Sequence, residues 1–84
     1  IDQFPFIIGR IEGDLIILEA SISRRHAQIT YDNARQAYYL TDLKSSNGTT
    51  LNDQRLIPDQ PVQLTSGARI GLGPNVSIQF DLDY

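Results

Sequence analysis

Val76-Ser77-Ile78-Gln79-Phe80-Asp81-Leu82-Asp83 alternates apolar and polar residues without a break. A period of two puts Val76, Ile78, Phe80 and Leu82 on one face of an extended chain, as in a strand with one side in a core. Further back, Ala27, Ile29 and Tyr31 alternate with Gln28 and Thr30 in the same way. Residues 37–43, Ala-Tyr-Tyr-Leu-Thr-Asp-Leu, are rich in strand formers. Phe6-Ile7-Ile8 and Leu15-Ile16-Ile17-Leu18 are short unbroken apolar runs, read as strands covered on both sides. Arg55 to Ile57, Val62 to Leu64 and Ala68 to Leu72 complete the set of expected strands. Turn chemistry separates them at Asp32-Asn33, Ser45 to Gly48, Asn52-Asp53, Pro58 to Pro61, Ser66-Gly67 and Gly73-Pro74-Asn75. With no helical periodicity, this pattern predicts one all-β domain, a β-sandwich or small barrel.

Composition narrows the function classes. The 84 residues are 40% hydrophobic and 20% charged, which fits one small globular domain. The absence of cysteine excludes a disulfide scaffold, a cysteine-ligated metal and a thiol nucleophile. His26 is the single histidine, too little for a histidine-rich metal site, and neither metal nor cofactor is expected. A net charge of −3 gives no general attraction to nucleic acid or to an anionic membrane. The longest apolar run, Leu15 to Leu18, is far short of a membrane span. No signal peptide precedes Phe4, so the expected location is cytoplasmic. The chain begins with Ile1 rather than Met, and residues 1–84 are expected to be a single domain cut from a longer multidomain protein.

Three turn-like places hold more polar chemistry than a connection needs. Gly9-Arg10 follows the run Phe6 to Ile8, Ser23-Arg24-Arg25-His26 precedes the strand at Ala27, and Ser45-Ser46-Asn47-Gly48-Thr49 follows the strand ending near Leu43. Arg10 offers a planar fork of donors suited to phosphate or carboxylate. Ser23 and Ser46 add hydroxyls, and Gly48 lets the backbone turn its N–H groups toward an anion. The Asn47 amide both donates and accepts, so it can pair with the backbone of an extended peptide. Taken singly, each is an ordinary turn or solvated side chain. Taken as an ordered set in one short chain, they describe an anion site with a peptide reader beside it.

That order resembles the forkhead-associated (FHA) domain, a phosphothreonine-binding module. The resemblance runs from Phe6 to Phe80 through Gly9-Arg10, Asp14 to Leu18, Ser23 to Ala27, Leu40 to Leu43, Ser45 to Thr49, Leu51-Asn52 and Leu64 to Ile70. It implies a two-sheet β-sandwich of about eleven short strands with the binding loops at one end. It also implies that Arg10, Ser23 and Ser46 hold a phosphate, that Arg24 assists, and that Asn47 holds the peptide backbone. By the same resemblance Gly9 allows close backbone approach, His26 ties the loops together, Gly48 shapes the loop after Asn47, and Asn52 fixes a turn. Asp53 stands where the family commonly has glycine. The loop segment Glu19 to Ile22 carries no arginine with which to select an acidic peptide residue.

The implied partner is a phosphothreonine-containing protein or peptide, with neither nucleic acid nor membrane. The second reading is a phosphate-independent interaction or docking domain. An enzyme would have to combine Ser23 or Ser46 with His26 and an acid such as Asp42, and no Gly-x-Ser-x-Gly elbow is present. The expectation is therefore a binding module rather than an enzyme.

Overall fold

The computed structural model describes residues 4–82. Nine strands run in chain order: β1 Phe6–Gly9, β2 Leu15–Ile16, β3 Ala27–Asp32, β4 Ala37–Asp42, β5 Thr49–Leu51, β6 Gln54–Arg55, β7 Val62–Leu64, β8 Ala68–Leu72 and β9 Val76–Phe80. They form a five-stranded sheet, β2-β1-β3-β4-β7, and a four-stranded sheet, β6-β5-β8-β9. The two sheets share one core, as a β-sandwich should. Among the described residues there is no helix long and apolar enough to cross a membrane.

Alternation decides which side chains meet between the sheets. Along β3, Ala27 and Ile29 are buried while Gln28 and Thr30 are not. Their cross-strand partners place Ile8 opposite Ala27 and Leu40 opposite Ile29, so three strands line one wall of the core. The other wall comes from Ala68, Ile70 and Leu72 of β8 with Phe80 of β9. Side chains such as Leu40 and Ile70, fully buried, contribute about 1.5–3 kcal/mol each. Tyr31 and Tyr38 pair directly across β3 and β4, their ring centroids 4.8 Å apart, and Tyr38 also packs on Phe80.

Several expected elements differ in extent. The run Leu15 to Leu18 is not a strand covered on both sides. Only Leu15 and Ile16 are extended, on an edge strand paired parallel to β1 alone, and Leu18 is 88% exposed. An edge strand has a neighbour on one side only, so an apolar run there need not be buried. The element expected at Arg55 to Ile57 is Gln54–Arg55, after which Leu56 turns into the core and Ile57 is exposed. Thr49, read as the end of a turn, begins β5, which lies between β6 and β8. The strand count among the described residues is nine, where the resemblance implies about eleven. Leu82 lies just beyond β9, and Asp83, the last position of the alternating run, lies outside the described residues.

The turn between β5 and β6 uses Asn52 and Asp53, both left-handed, with φ of 49° and 72°. Two consecutive left-handed residues match the right-handed twist of a tight hairpin, and Asn and Asp tolerate that region better than most side chains. Asn52 also bonds Arg69 of β8 twice, donating its N–H to the Arg69 carbonyl at 2.8 Å and accepting from the Arg69 N–H at 2.9 Å. The Asp53 carboxylate pairs with the Arg69 guanidinium.

Candidate functional site

The connections β1–β2, β2–β3 and β4–β5 meet at one end of the sandwich, and direct hydrogen bonds join them. Gly9 makes the first contact possible. A Cβ on residue 9 would sit 2.0 Å from the Arg24 carbonyl oxygen and 2.4 Å from that of Glu12. Backbone cannot yield as a side chain can, so only glycine fits. The close pass lets Arg10 N–H bond the Ser23 carbonyl at 3.0 Å and Glu12 N–H bond the Arg24 carbonyl at 3.1 Å. Arg10 then turns its Nε–H onto the Ile22 carbonyl at 2.9 Å. Ile22, 1% exposed, anchors this loop in the core. With Nε used for positioning, the two terminal nitrogens of the Arg10 fork carry no protein hydrogen bond among those between described residues.

His26 is wholly buried at the start of β3 and links two loops. Its Nδ1 accepts the Ser23 backbone N–H at 3.1 Å, while Nε2 lies 2.8 Å from the Gly48 carbonyl oxygen. These partners assign the neutral tautomer with the proton on Nε2. The Gly48 carbonyl also accepts Gly73 N–H at 3.0 Å. Both ring nitrogens thus bond backbone groups, and neither serves a serine hydroxyl as a hydrolase would require.

The loop after β4 is held from below by Asp42. This carboxylate, 1% exposed, accepts the N–H and hydroxyl of Ser45 and the Thr49 hydroxyl, the last at 2.6 Å. Three donors to one buried carboxylate offset much of its desolvation, and they clamp both ends of the loop. Ser46 N–H donates to Ser23 Oγ at 2.9 Å. Asn47 Nδ2 donates to the Ser21 carbonyl at 2.7 Å, and the residue is exposed, its amide oxygen taking no hydrogen bond among the described residues. Gly73 closes the group, since a Cβ there would lie 3.3 Å from the Ser21 carbonyl oxygen and 3.5 Å from Asn47 Cβ.

Arg10, Ser23, Ser46 and Asn47 therefore belong to one hydrogen-bonded loop cluster, together with Gly9, His26 and Gly48. Arg24 contributes its carbonyl to that cluster and has an exposed side chain. Asn52 lies apart, at the other end of β5, where it ties the β5–β6 turn to β8. Sequence reasoning did not find Asp42 and Thr49 as the loop clamp, nor Ser21 as the Asn47 partner. An acid near the end of an expected strand, ahead of two serines, was the available signal for the first. Nothing local marks the second.

The arrangement can bind an oxyanion at the Arg10, Ser23 and Ser46 group and an extended backbone at Asn47. A family model described as the FHA domain matches residues 6–73. The chain belongs to the FHA domain family. Among its relatives, the FHA domain-containing protein PS1 of Arabidopsis thaliana is 34% identical over 86% of this chain and 5% of its own length. A probable E3 ubiquitin-protein ligase, dma1, of Schizosaccharomyces pombe is 32% identical over 99% of this chain and 35% of its own. The chain thus spans a minor part of both relatives. One solved FHA structure, from work on phosphothreonine-dependent FHA interactions, has a TM-score of 0.85 and 33% identity, covering 100% of this chain and 82% of its own. The N-terminal FHA domain of Saccharomyces cerevisiae Rad53p in complex with a phosphothreonine peptide has a TM-score of 0.75 and 29% identity, over 84% and 57% of the two chains.

Proposed function

We propose that this FHA domain is a reversible reader of phosphothreonine in a protein or peptide partner, one module of a longer signalling protein in the cytoplasm. Arg10 provides the principal charged contact to the phosphate through its free terminal nitrogens. Ser23 and Ser46 add hydroxyl donors, and Arg24 supplies a second cation. The exposed amide of Asn47 pairs with the peptide backbone, Gly9, His26 and Gly48 support the loops, and Asn52 ties the β5–β6 turn to β8. The observation that carries this reading is the joining of Arg10, Ser23 and Ser46 in one cluster with the Arg10 fork half-committed to Ile22 and half open. Support also comes from the Rad53p domain, which holds a phosphothreonine peptide on the same fold.

In this mechanism no bond is made or broken. Charge-assisted hydrogen bonds contribute about 1.5–3 kcal/mol each, and the ordering cost of binding leaves a modest net affinity. A preference for threonine over serine requires a niche for one methyl group, worth up to about 1 kcal/mol. The test is a titration with matched phosphothreonine, phosphoserine and unmodified peptides, with Arg10→Ala as control. The expected result is selective binding of the phosphothreonine peptide, weakened about tenfold to a hundredfold in the variant. Equal binding of phosphorylated and unmodified peptides would replace this reading with phosphate-independent docking.

A further inference from the structure

Asn47 is the only asparagine that precedes a glycine, since Asn33, Asn52 and Asn75 precede Ala34, Asp53 and Val76. The backbone nitrogen after an asparagine lies within ring-closing reach of the side-chain amide carbon. A side chain on the following residue hinders that closure, and glycine has none. At this site three features favour it further. Asn47 is exposed. The Gly48 N–H donates no hydrogen bond among those between described residues, so its nitrogen has no partner to give up. The third feature is Arg55. A Cβ on Gly48 would fall 2.8 Å from Arg55 Cζ and 2.8 Å from one terminal nitrogen, so the guanidinium lies against the Gly48 backbone. Among the described residues Arg55 takes part in no ion pair or side-chain hydrogen bond, and Asp53, on the same hairpin, pairs with Arg69. An unneutralised cation there favours the deprotonated amide nitrogen and the oxyanion that forms as it attacks.

We propose that Asn47 is a site of spontaneous deamidation, promoted by Arg55, which switches the reader off. The Gly48 nitrogen gives its proton to solvent and bonds to Asn47 Cγ. The tetrahedral carbon then expels the side-chain nitrogen, which takes up a proton and leaves as ammonia. Water opens the resulting succinimide at either carbonyl, giving aspartate or isoaspartate. The sum is one water consumed and one ammonia released, with no change of oxidation state. Neither product can donate to the Ser21 carbonyl as Nδ2 does at 2.7 Å. Each adds a negative charge to the loops that receive a phosphate, and isoaspartate lengthens the main chain between Ser46 and Gly48. The consequence for binding rests on the phosphothreonine reading above. A bound peptide that pairs with the Asn47 amide holds it away from the Gly48 nitrogen, so the module is inactivated while empty.

The experiment incubates the folded native domain in mildly alkaline buffer, with and without saturating phosphothreonine peptide, and follows each asparagine by peptide-mapping mass spectrometry. Asn47 should convert ahead of Asn33, Asn52 and Asn75, and bound peptide should slow it. Arg55→Gln should slow conversion of the empty domain about twofold to fivefold, and Arg55→Lys, which keeps the charge, should restore most of the rate. Converted protein, separated by its extra negative charge, should bind the phosphopeptide about tenfold more weakly or worse. Conversion of Asn47 no faster than Asn33, an unchanged rate in Arg55→Gln, equal rates with and without bound peptide, or full binding by the converted protein overturns the inference alone. If Asn47 converts first but the fresh domain binds no phosphopeptide, the phosphothreonine reading falls and the deamidation site stands.

Discussion

Replacing His26 with alanine removes a wholly buried ring that bridges two loops of the site. Two backbone groups lose a partner, the Ser23 N–H at 3.1 Å and the Gly48 carbonyl at 2.8 Å. An unsatisfied buried polar group costs about 1–3 kcal/mol. Ser23 is only partly buried, so water recovers some of the first loss, and the Gly48 carbonyl keeps Gly73 N–H at 3.0 Å. The vacated ring volume adds a packing term. Together these put the destabilisation near 3 kcal/mol. At about 0.05–0.15 kcal/mol per residue, an 84-residue domain has roughly 4–13 kcal/mol to lose. His26→Ala should therefore remain folded in the cold but melt about 12–24 °C lower. The assay is urea unfolding followed by circular dichroism, with a lower midpoint and an unchanged slope. Hydrogen exchange should show protection lost at the Ser23 amide and kept in the β8–β9 ladder. A loss below about 1 kcal/mol, or uniform loss of protection across both sheets, would refute the idea that His26 is a local tie between loops.

Four further expectations follow from the same geometry. Gly9→Ala must push a methyl into the Arg24 and Glu12 carbonyls, so it should cost more than about 3 kcal/mol or prevent folding, and thermal denaturation will tell. Thr49→Val keeps shape but removes the 2.6 Å bond to Asp42, and should cost about 1–3 kcal/mol in denaturant titration while lowering phosphopeptide affinity. Leu18→Ala should change stability by less than about 0.5 kcal/mol, because that side chain is 88% exposed. Leu40→Ala, at a wholly buried site, should cost about 2–5 kcal/mol in the same assay.

Leu18 and Leu40 also mark how far the fold can be read from the chain. Where apolar and polar residues alternate, as at Ala27 to Thr30 and Val76 to Phe80, the period names both the strand and its buried face. An unbroken apolar run carries no such phase. Leu15 to Leu18 could not reveal that it lies at a sheet edge, because that depends on which strand stops pairing. Thr49–Leu51 was hidden for a related reason. Its strand character comes from pairing with Ala68–Leu72, about twenty residues away, and three residues offer little local signal. Within the site, the loops and their polar residues were legible because turn chemistry and unusual polar groups coincide there. The clamp from Asp42 to Ser45 and Thr49 was not, since it depends on how tightly the chain folds back after β4.

The central claim is that a phosphothreonine peptide binds at the loop end of the sandwich. Two-dimensional NMR during a phosphopeptide titration tests it most directly. The account predicts saturable shifts of the amides at 9–11, 21–26 and 45–48, with little change at the opposite β3–β4 turn, and no such shifts with the unmodified peptide. Shifts centred on residues 33–36, or the same pattern from the unmodified peptide, would contradict it.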